Sequence, residues 1–191
     1  GIAWELGVVA ALAEAGIDLR DADLVVGTSA GAAVAAQITS GEALDALLAR
    51  QRTPASESRE IMAELDLGLL TTIFASLFDP DLAPDERRAA VGAAALAADT
   101  VAESVRLDTI AARLPRSSWP DRSEHHVVLT AVDAVSGAFV TFDDAAGVAL
   151  VDAVAASCAV PGIWPPTTIG GRRFIDGGVR SPTNADLAAG H

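Results

Sequence analysis

The chain has 191 residues, 51% of them apolar, and sets 26 Asp and Glu against 13 Arg, with no Lys, for a formal net charge of −13. The apolar fraction excludes intrinsic disorder, and the acidic balance excludes a protein that grips a nucleic-acid backbone or docks electrostatically on an anionic membrane, since both need clustered positive charge. A single Cys excludes a disulfide framework and any multi-Cys zinc site.

In chain order, residues 3 to 15 read as a helix with Leu6, Val9 and Ala13 on one face and Gly16 as its stop. A loop covers 17 to 22. Residues 23 to 26, Asp-Leu-Val-Val, read as a short buried strand that runs into Gly27-Thr28-Ser29-Ala30-Gly31. Helices follow at 32 to 39 and 42 to 52, then a loop at 54 to 58. Residues 59 to 78 read as a helix that Gly68 breaks in two. Pro84, Asp85 and Glu86 open a helix that runs to 98, and 102 to 114 form another before Pro115. The period then changes. Residues 127 to 132 and 138 to 142 are strand-like, and 151 to 158 are helical. Strands at 167 to 169 and 172 to 175 flank the two-residue hairpin signal Gly170-Gly171, and 184 to 189 form a short closing helix. Two uncharged stretches, 24 to 41 and 153 to 171, are interrupted by polar residues or prolines, and read as buried core rather than membrane spans. Helices alternating with strands predict an α/β sandwich.

The candidate chemistry centres on Gly27-Thr28-Ser29-Ala30-Gly31, a G-x-S-x-G run between a predicted strand and a predicted helix. A Ser on a sharp strand-to-helix turn has its hydroxyl lifted clear of the backbone, as a nucleophile needs. The strained turn calls for small neighbours, which Gly27, Ala30, Gly31 and Ala32 supply. The following helix points its N-terminus at Ser29, so the Ala30 N–H is the first donor available to an oxyanion. A plain Gly-Ser turn is the competing reading. Asp176-Gly177-Gly178 follows an apolar strand end, and its glycines let that loop approach another element closely. Asp176 can then accept the Ser29 proton, although a simple tight turn explains the same residues.

Other candidates carry less. Ser29, Asp176 and His191 stand in the order Ser…Asp…His, which leaves a His triad open; the close spacing of Asp176 and His191 counts against it. His125 and His126 begin a strand, one of them facing solvent. Cys158 reads as a buried structural thiol rather than a nucleophile. Arg172, Arg173 and Arg180 bracket Asp176, and either hold an anionic substrate group or sit solvated on a hairpin. Trp4, Trp119 and Trp164 suit either a lipid surface or packing at a rim. Asp79, Asp81, Asp85, Asp143 and Asp144 lack the loop spacing of a calcium site. A nucleotide-binding turn would need G-x-G-x-x-G and a basic ligand, which this turn does not have.

Four blocks carry a resemblance. Gly1 precedes an amphipathic helix; Asp-Leu-Val-Val-Gly-Thr-Ser-Ala-Gly occupies 23 to 31; Ala-Ser-Cys-Ala-Val-Pro-Gly-Ile-Trp-Pro-Pro occupies 156 to 166; Asp-Gly-Gly occupies 176 to 178. In this order they resemble the patatin-like phospholipase family from Gly1 to about Ala189, with the middle helices (50 to 115) contributing little. The resemblance implies a three-layer α/β/α sandwich with Ser29 as nucleophile, Asp176 as base and the 156 to 166 block as structural core. It implies an oxyanion hole from Ala30 and from a Gly-rich loop of which Gly1 stands in this sequence, with Gly27, Gly31, Gly177 and Gly178 as motif support. It departs from the family in lacking the strand and most of the Gly-rich loop ahead of the first helix, and the strand usual at the C-terminal end, so residues 1 to 191 read as one domain short at both ends.

The resemblance implies a serine acyl hydrolase acting on a lipid or small ester substrate through a covalent acyl-enzyme. No metal or organic cofactor and no nucleic acid partner is expected. Transient contact with a membrane surface is expected, in a protein that is cytoplasmic or peripheral to a membrane. Ile73, Phe74, Leu77 and Phe78 would wall an acyl groove or lid, or simply fill the helical layer. A non-catalytic lipid- or partner-binding protein on the same fold is the alternative class.

Overall fold

The computed structural model describes residues 1–54, 57, 60–62 and 66–191. Its elements are α1 (Ile2–Glu14), β1 (Leu24–Gly27), α2 (Ala30–Ile38), α3 (Leu44–Gln51), α4 (Leu67–Leu77), α5 (Pro84–Ala97), α6 (Glu103–Arg113), β2 (His126–Asp133), β3 (Phe139–Phe142), α7 (Leu150–Ser157), β4 (Thr167–Ile169) and β5 (Arg172–Asp176). Short 3-10 turns lie at Leu19–Asp21, Asp144–Ala146, Gly177–Val179 and Ala185–Ala188.

β2 organises the sheet. Leu129 pairs with both Gly27 of β1 and Phe142 of β3, while Ala131 pairs with both Val140 of β3 and Asp176 of β5. A strand has two edges, so β3 occupies one edge of β2 while β1 and β5 share the other. β1 runs parallel to β2 and ends opposite Leu129; β5 runs antiparallel and ends opposite Ala131. The C-terminal ends of β1 and β5 therefore meet head to head, with Thr130 between them. β4 completes the sheet against β5 through a hairpin whose Gly170 and Gly171 both hold positive φ (58° and 77°), the conformation that matches strand twist.

Alternation along the strands gives the sheet two apolar faces. Val127, Leu129 and Ala131 of β2, with Phe174 of β5, pack on α2, α6 and α7. Val132 and Ile175 face the other way, against Ile73 of α4 and Val91 and Ala95 of α5. This is the expected three-layer α/β/α arrangement. α1 and α3 form an outer layer on α2 through Leu6, Val9, Val34, Ile38 and Leu47. Ala32, Ala33, Ala35 and Ala36 of α2 are all buried, and their small side chains let that helix lie close between sheet, α1 and α7. Among the described residues no helix is long and apolar enough to cross a membrane.

Two expectations change, and a third lies largely outside the described residues. The helix expected from 59 to 78 begins at Leu67, with 60–62 outside it and residues 59 and 63–65 outside the described residues. Asp66 is its cap, accepting a hydrogen bond from the Leu69 N–H at 3.0 Å, so Gly68 lies in the first turn and breaks nothing. The closing helix is a single 3-10 turn, because Asn184 stands before it in the left-handed region (φ 48°). The loop expected at 54 to 58 lies outside the described residues except for Pro54 and Glu57.

Candidate active site

Where β1 passes into α2, Ser29 holds φ 55° and ψ −120°, a backbone conformation that costs a non-Gly residue about 1–3 kcal/mol. The end of α7 holds it there. The Ser29 N–H donates to Ser157 Oγ at 3.0 Å, and the Cys158 thiol donates to the Ser29 carbonyl at 3.0 Å. The Ala32 N–H donates to that same carbonyl at 2.9 Å, which starts the helix. Gly27 has no room for a side chain, since a Cβ there would lie 2.7 Å from Ala32 Cα and 2.9 Å from Leu129 Cδ2. Gly31 differs from expectation: the nearest atom to a Cβ there is a Glu5 carboxylate oxygen at 3.5 Å, an ordinary contact. The Ala30 N–H finds no acceptor among the described residues, as the first donor of a helix should.

Asp176 ends β5, across Thr130 from this turn. Its Oδ1 accepts from the Gly178 N–H at 2.7 Å, while Oδ2 is buried and has no hydrogen-bond partner among the described residues. Burial pushes its pKa up to about 6, against the lowering pull of the Ser29 side chain and the Gly178 N–H. The Ser29 side chain is thus close enough to act on the charge of the carboxylate. Gly177 packs on Thr130 so tightly that a Cβ would collide with its backbone and hydroxyl.

A buried polar knot ties the two strand ends together. Thr28 Oγ1 and Thr130 Oγ1 are 2.8 Å apart, and the Thr130 hydroxyl points to the Gly27 carbonyl at 3.4 Å. Asn184 Nδ2 donates to Thr28 Oγ1 at 3.0 Å and to the Ser181 carbonyl at 2.8 Å, with longer contacts of 3.3 Å to Thr130 Oγ1 and the Gly177 carbonyl. Arg180 holds Asn184 Oδ1 at 2.8 Å.

Ser29 opens onto a cavity of about 380 Å³. Gly1, Ile2 and Ala3 from the start of α1 and Ala30 from the start of α2 line it, so the positive ends of two helix dipoles reach one space. The rest of the lining comes from Arg106 and Arg113 of α6, Glu60, Cys158, Val160 and Trp164. Asp176 does not line it, but stands behind Ser29, buried. The expected group is therefore split: Ser29, Ala30 and Gly1 face the cavity, Asp176 backs it, and Gly27, Gly31, Gly177 and Gly178 shape the two turns.

The remaining candidates lie elsewhere or do other work. His191 is exposed at the end of the chain and does not line the cavity. His125 and His126 are both half-buried, near the Ala22 carbonyl and Asp143 respectively, so neither simply faces solvent. Cys158 is buried, and burial pushes its thiol up to about 12, which leaves it a clamp rather than a nucleophile. Arg172 pairs with Asp133, Arg173 donates to the Pro166 carbonyl, and Arg180 pairs with Asp186. Asp143 and Asp144 share Arg122, Asp85 pairs with Arg88, and Asp79 accepts from the Asp81 N–H. Trp4 is exposed; Trp119 is half-buried and donates to the Val148 carbonyl; Trp164 is half-buried at the cavity. Ile73 is buried in the helical layer, whereas Phe74 and Phe78 stack on each other outside it.

Sequence reasoning missed Thr130, Asn184 and Arg106. The third had a signal: Arg106 stands four residues before Ile110, on the face of α6 where an apolar residue was due.

Comparison with curated proteins gives no match. The family model for patatin-like phospholipase covers residues 1–189, from the start of α1 past Asn184, and the chain belongs to that family.

Proposed function

We propose that the protein is a lipid acyl hydrolase in which Ser29 and Asp176 act as a dyad. Ser29 Oγ attacks the ester carbonyl and its proton passes to Asp176 Oδ2. The Ala30 N–H and the N–H groups at the start of α1, beside Gly1, hold the oxyanion. Collapse expels the alcohol, which takes the proton from Asp176, and leaves an acyl group on Ser29. Water, deprotonated by Asp176, then releases the fatty acid and restores the Ser29 hydroxyl. The observation that carries this reading is the pairing of a strained, cavity-facing Ser29 with a buried carboxylate whose Oδ2 is unpartnered. A carboxylate with pKa about 6 is a better base than an ordinary Asp, because its proton affinity lies closer to working pH. We read residues 1–191 as one patatin-like unit.

The test is burst release of 4-nitrophenol from a 4-nitrophenyl acyl ester, with mass spectrometry of the trapped protein. The expected result is one acyl group on Ser29 and loss of the burst in Ser29→Ala. A folded protein that never acquires an acyl group sinks the hydrolase reading.

A further inference from the structure

Asn184 is fully buried, and its backbone sits in the left-handed region at φ 48°. Both polar atoms of its side chain have partners. Arg180 Nη1 donates to Oδ1 at 2.8 Å, and Arg180 is itself fixed by Asp186 at 2.7 Å and by the Phe139 ring, whose centroid lies 4.3 Å from the guanidinium carbon. A guanidinium only donates, so the amide oxygen must face Arg180 and the amide nitrogen must face inward. There Nδ2 meets Thr28 Oγ1 at 3.0 Å and the Gly177 carbonyl at 3.3 Å. Thr28 precedes Ser29, and Gly177 follows Asp176. One amide thus bonds the chain neighbour of the nucleophile and the chain neighbour of the base. β1 and β5 each pair with β2 and not with one another, and among the described residues no backbone hydrogen bond runs from 27–31 to 176–178. The spacing of the two turns is therefore left to side chains. An apolar plug would fill the same space without desolvating an amide, but apolar contact is non-directional and fixes no distance. A buried polar network with its partners in place does fix one.

We propose that Asn184 is a positioning residue of this site: its amide, oriented by Arg180, holds the Ser29 turn and the Asp176 turn at the spacing that proton transfer between them requires. This role rests on Ser29 and Asp176 acting as a dyad, and supplies the means by which two unpaired strands keep their ends aligned. Asn184 does not line the cavity and touches no reacting atom; it acts through Thr28 and Gly177. A displacement of about 1 Å between reacting groups costs about a hundredfold in rate, so a small relaxation of this contact is enough to be seen.

Asn184→Gly removes the amide yet keeps a residue at ease with positive φ, so it separates the side chain from the backbone turn. With the 4-nitrophenyl acyl ester, kcat is expected to fall by at least about tenfold, and on the order of a hundredfold, with KM within about threefold of the parent. Thr28→Val removes the acceptor of the amide and is expected to act alike; it carries the test if the Gly protein does not fold. The double variant is expected within about threefold of the worse single one, as when two residues serve one contact. Leu47→Ala, which opens a hole in the outer layer away from both turns, is expected to keep kcat. A kcat less than about tenfold below the parent, a loss carried by KM, losses that multiply in the double variant, or an equal fall in Leu47→Ala each overturns the proposal. If the parent never acylates Ser29, the dyad reading fails by itself, and amide hydrogen exchange still decides whether Asn184 holds the two turns. The Ser29 and Gly178 N–H groups, bonded to Ser157 and Asp176, are then expected to exchange at least about tenfold faster in Asn184→Gly, and an unchanged rate at either overturns that role.

Discussion

At Ser29 and Asp176 the fold tolerates two unfavourable local states side by side. Ser29 sits in a strained backbone conformation, and Asp176 is a carboxylate taken out of water with one oxygen unpartnered. The carboxylate makes a pH-dependent signature. Its pKa rises from 3.8 to about 6, so between these values the folded state holds a proton that the unfolded state has lost. The native state is therefore favoured below about pH 4, and that contribution is lost as pH rises through about 6. The gap corresponds to about 3 kcal/mol by linkage. Asp176→Asn, which cannot ionise, should accordingly gain stability relative to the parent between pH 4 and pH 8, by up to about 3 kcal/mol. Urea unfolding at the two pH values checks this. Activity moves the other way: ester turnover should fall below pH about 6 as Asp176 protonates, and should be lost at all pH values in Asp176→Asn. An acid limb that survives Asp176→Asn would point to a different base. Both residues were legible in the sequence, because G-x-S-x-G between strand and helix and Asp-Gly-Gly after a strand are local signals. The raised pKa was not legible, because burial depends on what covers the side chain.

Between elements, the decisive contact is the meeting of β1 and β5 on one edge of β2. It brings Gly27 opposite Leu129 and Asp176 opposite Ala131, so the two turns project from the same point of the sheet. The last residue of α7 then pins the Ser29 turn through the Ser157 hydroxyl. Ser157→Ala should leave the Ser29 N–H buried without an acceptor, a loss of about 1–3 kcal/mol. Turnover should suffer more than binding: kcat should fall about tenfold or more with KM nearly unchanged, as expected when a positioning contact relaxes. A fall in KM-based affinity alone would contradict a positioning role. The 156 to 166 block was read as structural core, and its Ser157 and Cys158 do pack in the core. That they grip Ser29 required the pairing of residues 128 and 129 positions apart.

For the whole molecule, the net charge is −13. Trp4, Phe74 and Phe78 are all exposed, while the cationic wall lies inside the cavity. The net charge of −13 therefore opposes approach to an anionic lipid surface. That repulsion is screened beyond about 10 Å at 0.1 M salt. Turnover on anionic vesicles should rise severalfold as salt is raised from about 10 mM to about 200 mM, with less than a twofold change on zwitterionic vesicles. Vesicle assays at fixed lipid concentration check this, and a fall with salt on anionic vesicles would contradict it.

The sequence by itself determined the α/β alternation, most element positions and the two turns that bear Ser29 and Asp176. Those signals are local: a hydrophobic period, a capping residue, a glycine where the chain must turn sharply. Where Asp66 rather than Gly68 governed a helix start, a second local signal had simply outweighed the first. The tertiary structure alone decided that β1 and β5 share an edge, that Asn184 knots the strand ends and that Arg106 is buried in the cavity wall. Strand register and burial arise from contacts between residues scores of positions apart, and no period or motif along the chain records them.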